Sequence, residues 1–142
     1  MKFEAAKNRP IMIAFDTNLL VRVAVADDAE QVAVVRQLIA QNTIFISRTV
    51  LLETEWVLRS VYKKTPTDIH RFFQALLNLD NTELEDAEAI SHALDWYAHG
   101  ADFADALHLA VCNDAILHTF DKNFCKNARE AGIAPAVNIL TS

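Results

Sequence analysis

The 142-residue chain contains few of the residues that interrupt or cross-link a fold. With only two glycines and three prolines, regular structure has few points at which it must break, so we expect helices and strands joined by short loops. The two cysteines, Cys112 and Cys125, are too few for a four-ligand zinc site. We expect them to be free thiols, because a disulfide is uncommon in a reducing compartment.

Long apolar runs and an excess of positive charge are also missing. No segment approaches the roughly 20 apolar residues that span a bilayer, and residues 1–10 lack the apolar core of a signal peptide, so we expect a cytoplasmic protein without membrane association. The net charge is −6, whereas proteins that hold nucleic acid by bulk electrostatics are usually basic. An RNA or DNA substrate would therefore be held locally, by metal and a few Lys or Arg residues. The acidic balance also suits a basic protein partner.

The apolar residues, 52% of the chain, are enough for a single domain over residues 1–142 with a sizeable core. Their pattern predicts strands at 11–15, 43–47, 82–85, 116–120 and 137–140, of which the first and fourth are expected to be buried and the third to be an edge strand. Helices are predicted at 17–25, 28–41, 49–62, 65–79, 86–99, 102–114 and 122–131. This alternation predicts an α/β fold, a three-layer α/β/α sandwich with a mainly parallel central sheet.

Four acidic residues stand at the edges of these apolar elements: Asp16, Glu53, Asp105 and Asp121. Ionised carboxylates are rarely buried unless paired or bound to metal, so we expect the fold to gather them at one point. Asp16 and Asp121 each follow a strand, and ligands of parallel sheets bind outside the carboxyl ends of the strands. Carboxylates without imidazole or thiolate favour Mg²⁺ or Mn²⁺ over Zn²⁺, and phosphodiester hydrolysis is the expected chemistry.

Three of these acids also have an interpretation that needs no metal. Asp16 and Asp121 could each be the N-cap of the helix that follows. Glu53 could be a solvated residue on a polar stripe with Glu55 and Arg59. Both interpretations stay open on sequence alone.

Further polar residues near the four acids are accessory candidates. Asp102 and Asp105 are three residues apart and share a helix face, where like charges repel. Asp102 could be the helix cap, which leaves Asp105 as the better ligand. Thr17 or Asn18 could hydrogen-bond a carboxylate or a metal-bound water, and Thr119 could orient a phosphate or a water.

Taken in order, these segments resemble the acidic motifs of PIN domains, and most closely those of the bacterial VapC-type toxins of type II toxin–antitoxin pairs. The segments are Phe15-Asp16-Thr17-Asn18-Leu19-Leu20, Glu53-x-x-Trp56-Val57-Leu58, Ala101-Asp102-Phe103-Ala104-Asp105-Ala106-Leu107 and Thr119-Phe120-Asp121-Lys122-Asn123-Phe124. The resemblance implies an α/β/α fold, a Mg²⁺- or Mn²⁺-dependent endoribonuclease, a homodimer, and inhibition by a small antitoxin protein. It also implies that Asp16, Glu53, Asp105 and Asp121 form the catalytic metal centre.

Under this hypothesis Asp16 and Asp105 bridge one or two metal ions, while Glu53 and Asp121 contact them directly or through water. Some of the apolar residues of helices 49–62 and 65–79, which include Trp56, Phe72 and Phe73, could form a groove for a partner helix. Three alternatives remain open.

The first alternative is a PIN nuclease of RNA processing that has no antitoxin. The second is a HAD-like phosphatase, which is disfavoured because Asn18 stands where a second acid is needed. The third is a non-catalytic binding module whose acids are caps and solvated residues.

Overall fold

The computed structural model describes residues 11–142, so the statements made above about residues 1–10 lie outside the described residues. Residues 11–142 form seven helices and five strands, and none of these helices is long and apolar enough to cross a membrane. The elements in chain order are β1 (Met12–Ala14), α1 (Thr17–Val25), α2 (Ala29–Gln41), β2 (Thr43–Ile46), α3 (Arg48–Ser60), α4 (Pro66–Leu77), β3 (Thr82–Leu84), α5 (Ala87–Ala98), α6 (Phe103–Ala110), β4 (His118–Thr119), α7 (Lys126–Glu130) and β5 (Asn138–Ile139).

The strands lie in two sheets, and every pairing between them is parallel. β1, β2 and β3 form one sheet in that order, with Met12 opposite Thr43. β4 and β5 form a second sheet, with His118 opposite Asn138. The predicted α/β fold with parallel strands is confirmed.

Helix starts follow the local signals in the sequence. The side chain of Asp28 caps α2, and the Thr65 hydroxyl accepts a hydrogen bond from the backbone N–H of Asp68 at 3.1 Å, with Pro66 in the first turn of α4. Gly100, with φ +90°, follows the end of α5 in the left-handed conformation that favours glycine. These predicted boundaries are confirmed to within two residues.

An aromatic cluster where α4, α5 and α6 meet contributes to the core. The Phe73 ring lies 5.3 Å from the Phe103 ring, which the Tyr97 ring meets edge-on at 5.4 Å. Phe73 is buried because α5 and α6 cover that side of α4, so it is not one of the residues that could form a docking groove. Trp56 is exposed.

Two strands are shorter and more exposed than the apolar pattern predicted. Ile11 and Met12 around β1, and Ile116 and Phe120 around β4, are all exposed. The prediction of buried strands is wrong here because β1 and β4 are edge strands, each paired on one side only. The prediction that β3 is an edge strand is confirmed.

Two helices are also shorter than predicted. The helix expected at 102–114 ends at Ala110, and Asn113 beyond it has φ 55°. The helix expected at 122–131 begins only at Lys126, after Cys125 with φ 48°. Apolar periodicity does not reveal such breaks, because a single left-handed residue leaves the pattern of apolar positions unchanged.

Candidate active site

Asp16 stands directly after β1 and begins α1. Its backbone is extended, and its Oδ1 accepts a hydrogen bond from the backbone N–H of Leu19 at 3.3 Å. The N-cap interpretation of Asp16 is therefore correct. The carboxylate is exposed, and its second oxygen can still accept a ligand.

Glu53 is joined to this segment through Thr17. The Thr17 hydroxyl donates a hydrogen bond to Glu53 Oε1 at 2.5 Å, across the contact between α1 and α3. The prediction that Thr17 or Asn18 bonds a carboxylate is confirmed for Thr17. Asp16, Glu53 and Asn18 line one cavity of about 290 Å³.

A second set of acids surrounds the start of α6. Asp102 caps this helix, since its Oδ2 accepts a hydrogen bond from the backbone N–H of Asp105 at 3.1 Å. Burial raises the pKa of the half-buried Asp105 carboxyl, the charges of Asp102 and Asp121 raise it further, and His108 lowers it. Asp105 is therefore under the influence of two neighbouring carboxylates.

Asp121 lies in the turn that follows β4. Its backbone N–H donates to the Thr119 hydroxyl at 3.0 Å, and its Oδ1 accepts from the backbone N–H of Asn123 at 2.9 Å. The N-cap interpretation of Asp121 is wrong, because α7 begins only at Lys126. Thr119 fixes this turn, and its role toward a phosphate or a water stays a prediction.

The contacts described above join the predicted acids into two groups, here called the two acid sets: Asp16 with Glu53, and Asp102 with Asp105 and Asp121. Within residues 11–142 no group of three or more His, Cys, Asp or Glu side chains is placed to hold a metal ion. Asp16 and Asp121 follow strands of different sheets, so their sharing of one centre stays a prediction. The donors themselves fit a hard cation, because Mg²⁺ is commonly held by one or two carboxylates together with water and substrate phosphate.

Sequence reasoning missed a buried acid on α3. Glu55 is 3% exposed; its Oε2 accepts hydrogen bonds from Arg59 Nε at 2.8 Å and from the Tyr97 hydroxyl at 3.0 Å. The prediction that Glu55 lies on a solvated stripe is wrong, because Tyr97 of α5 covers it. The available signal was an acid and an arginine four residues apart in a helix rich in apolar residues.

The network around Glu55 also reaches the second set of acids. Burial raises the pKa of the Tyr97 hydroxyl, and the charges of Glu55 and Asp102 raise it further. The hydrogen bond to Glu55 is the main cause that raises the pKa of Arg59, and the charge of Asp102 adds to it. The helix that carries Glu53 is therefore linked electrostatically to the start of α6.

A parallel α/β fold with carboxylates beyond the ends of β1 and β4 defines the class of protein. The family model of the PIN domain matches residues 13–130, and this chain belongs to the PIN domain family. PIN domains are typically metal-dependent nucleases, and the matched range contains both sets of acids. Comparison with curated proteins gives no match.

Proposed function

We propose that this protein is a Mg²⁺- or Mn²⁺-dependent endoribonuclease that acts in the cytoplasm as the toxin of a type II toxin–antitoxin pair. The observation that carries the proposal is the pair of Asp16 and Glu53, tied through Thr17 at the wall of a cavity in a PIN domain. The substrate would be RNA, and the acidic chain would bind it through local contacts.

The chain's own residues would divide the work between the two sets. Asp16 and Glu53 would hold metal on one side, and Asp105 and Asp121 on the other. A bound Mg²⁺ or Mn²⁺ supplies a water of lowered pKa and neutralises charge on the phosphate. Thr17 fixes the Glu53 carboxylate through its hydrogen bond, and this holds one ligand in place before substrate arrives.

Asp102 acts on the other side by capping α6, which fixes the backbone from which Asp105 projects. The hydrogen bond from the Asp121 backbone to Thr119 sets the turn that presents Asp121. These contacts orient the Asp105 and Asp121 carboxylates, so Asp102 and Thr119 would act by positioning the metal ligands. Asn18, exposed in the cavity, is available to a substrate.

The partner in this proposal is a small antitoxin with a basic or amphipathic segment, and the active form is a homodimer. The net charge of −6 favours a basic partner. Trp56 on α3 and Val61 after it are exposed apolar residues, and Val61 lines the cavity that contains Asp16 and Glu53. An arginine from the antitoxin could pair with the carboxylates in place of metal.

A non-catalytic binding module is the second candidate, favoured by the helix caps that Asp16 and Asp102 form without metal. The experiment that separates the two is cleavage of labelled RNA in Mn²⁺ by the variant Asp16→Asn. Asparagine caps helices as well as aspartate does, so the fold should persist while cleavage is lost.

Asp28→Asn is the matched control, because Asp28 also caps a helix but belongs to neither acid set. It should cleave as the unmodified protein does. Full cleavage by a folded Asp16→Asn variant would remove Asp16 from the active site. Absence of metal-dependent cleavage by the unmodified protein would favour the binding module.

Co-expression tests the toxin assignment separately. The protein and the product of the adjacent small reading frame should co-elute as a complex that does not cleave RNA. If they do not bind each other, or the complex cleaves as fast as the free protein, a processing nuclease without antitoxin takes the place of the toxin.

A further inference from the structure

The cavity that holds Asp16 and Glu53 also contains a positive charge. Within residues 11–142, Arg22 is the only Lys or Arg that lines it, and the apolar part of its wall includes Val57 and Val61. Its volume of about 290 Å³ is near the lower end of the range for small-molecule sites. The cavity therefore offers room for one nucleotide-sized group between carboxylates and a guanidinium.

Arg22 is held in a fixed orientation. Its Nη1 donates to Asp27 Oδ1 at 2.6 Å and its Nη2 donates to the Tyr62 hydroxyl at 2.6 Å. The guanidinium carbon lies 5.9 Å from the centre of the Tyr62 ring. A guanidinium carries five N–H donors, so these two contacts orient the group and leave further donors for a ligand.

We propose that Arg22 binds a phosphate of the RNA strand next to the phosphate that is cleaved, and that Asp27 and Tyr62 are its positioning residues. This inference rests on the proposed ribonuclease function. The planar fork of arginine matches the oxygens of a phosphate, and its orientation is set before the ligand arrives. A chain of net charge −6 needs such a local cation to hold a polyanion beside its own acids.

The phosphate role makes a prediction that a structural role does not make. Each phosphate contact to a single strand contributes about 0.7 to the slope of the logarithm of the binding constant against the logarithm of salt concentration. A residue that only ties α1 to the end of α3 would change stability and leave this slope unchanged.

The experiment measures anisotropy of a labelled, mixed-sequence, single-stranded RNA in Mg²⁺ over a series of KCl concentrations. The parent protein is Asp105→Asn, chosen so that the RNA stays intact. Adding Arg22→Gln should lower the slope by about 0.7. Arg71→Gln is the matched control, because Arg71 also pairs with an acid, at 3.3 Å, but on the exposed face of α4. It should leave the slope unchanged.

Arg22→Lys keeps the charge without the fork, and it covers the case in which Arg22→Gln does not fold. It should keep the slope and weaken binding about tenfold, as expected for losing a charged hydrogen bond. If the parent binds RNA but Arg22→Gln keeps the full slope, or Arg22→Lys binds equally well, the Arg22 inference is wrong and the ribonuclease proposal stands. If the parent itself does not bind RNA, both fail.

Discussion

Removal of Arg59 should cost the fold far more than removal of another paired arginine. In Arg59→Ala the carboxylate of Glu55, whose side chain is 4% exposed, would keep only the Tyr97 hydroxyl as its partner. Breaking a buried ion pair from one side costs about 3–5 kcal/mol, because an uncompensated charge stays behind. Arg59 itself is 43% exposed and water can reach the vacated side, so we expect the lower end, about 3 kcal/mol.

The chain supplies the control. Arg71 pairs with Asp68 at 3.3 Å, but the two side chains are 75% and 52% exposed. Arg71→Ala should therefore lower the free energy of unfolding by about 0–1 kcal/mol. Urea unfolding followed by tryptophan fluorescence, extrapolated to water for each variant, measures the difference.

A double variant tests the assigned cause. If the cost in Arg59→Ala is a buried charge, the added substitution Glu55→Gln should restore part of the lost stability, because it removes that charge and keeps the shape. Equal losses in Arg59→Ala and Arg71→Ala would refute this account. So would a double variant no more stable than Arg59→Ala alone.

Two further predictions concern the second acid set and its surroundings. Asp105→Asn should raise the melting temperature of the metal-free protein, because it relieves repulsion from Asp102 and Asp121. It should also abolish the stabilisation by Mn²⁺, which is about 2.7 kcal/mol at a hundredfold excess over Kd. An equal Mn²⁺-induced shift in the melting temperatures of the variant and the unmodified protein would contradict this. Burial raises the pKa of Cys125 to about 11. The stability that this shift contributes is fully present below the unfolded pKa and is lost as pH rises from there through the folded pKa of about 11. Near pH 8 a thiol reagent should therefore modify only Cys112 in the native protein, and rapid modification of both cysteines would refute the burial argument.

The parts of the fold that depend on neighbouring residues were predictable from sequence. The caps at Asp28, Thr65 and Asp102 are formed within three residues, so the local sequence was enough to predict them, although the same signal failed at Asp121. The exposure of Met12 was not predictable, because it depends on which strands pair, and the apolar pattern of an edge strand can equal that of a central one.

In the candidate site, too, contacts between neighbouring elements that the sequence suggested were predictable, whereas burial was not. A hydrogen bond from Thr17 or Asn18 to a carboxylate was predicted, and Thr17 forms one with Glu53. The burial of Glu55 was not, because its cover, Tyr97, lies 42 residues away in sequence. Which acids contact one another was also not predictable, because it depends on how the helices that carry them pack together.

The capping role of Asp16 and Asp102 has a consequence for how this chain can evolve. A single-nucleotide change converts an aspartate codon to an asparagine codon, and asparagine keeps the cap at either position. Loss of the charge would therefore leave the helices intact. Under the proposed function, in which Asp16 is a metal ligand, a lineage freed from selection for catalysis can thus reach a folded, inactive descendant in one step through Asp16→Asn.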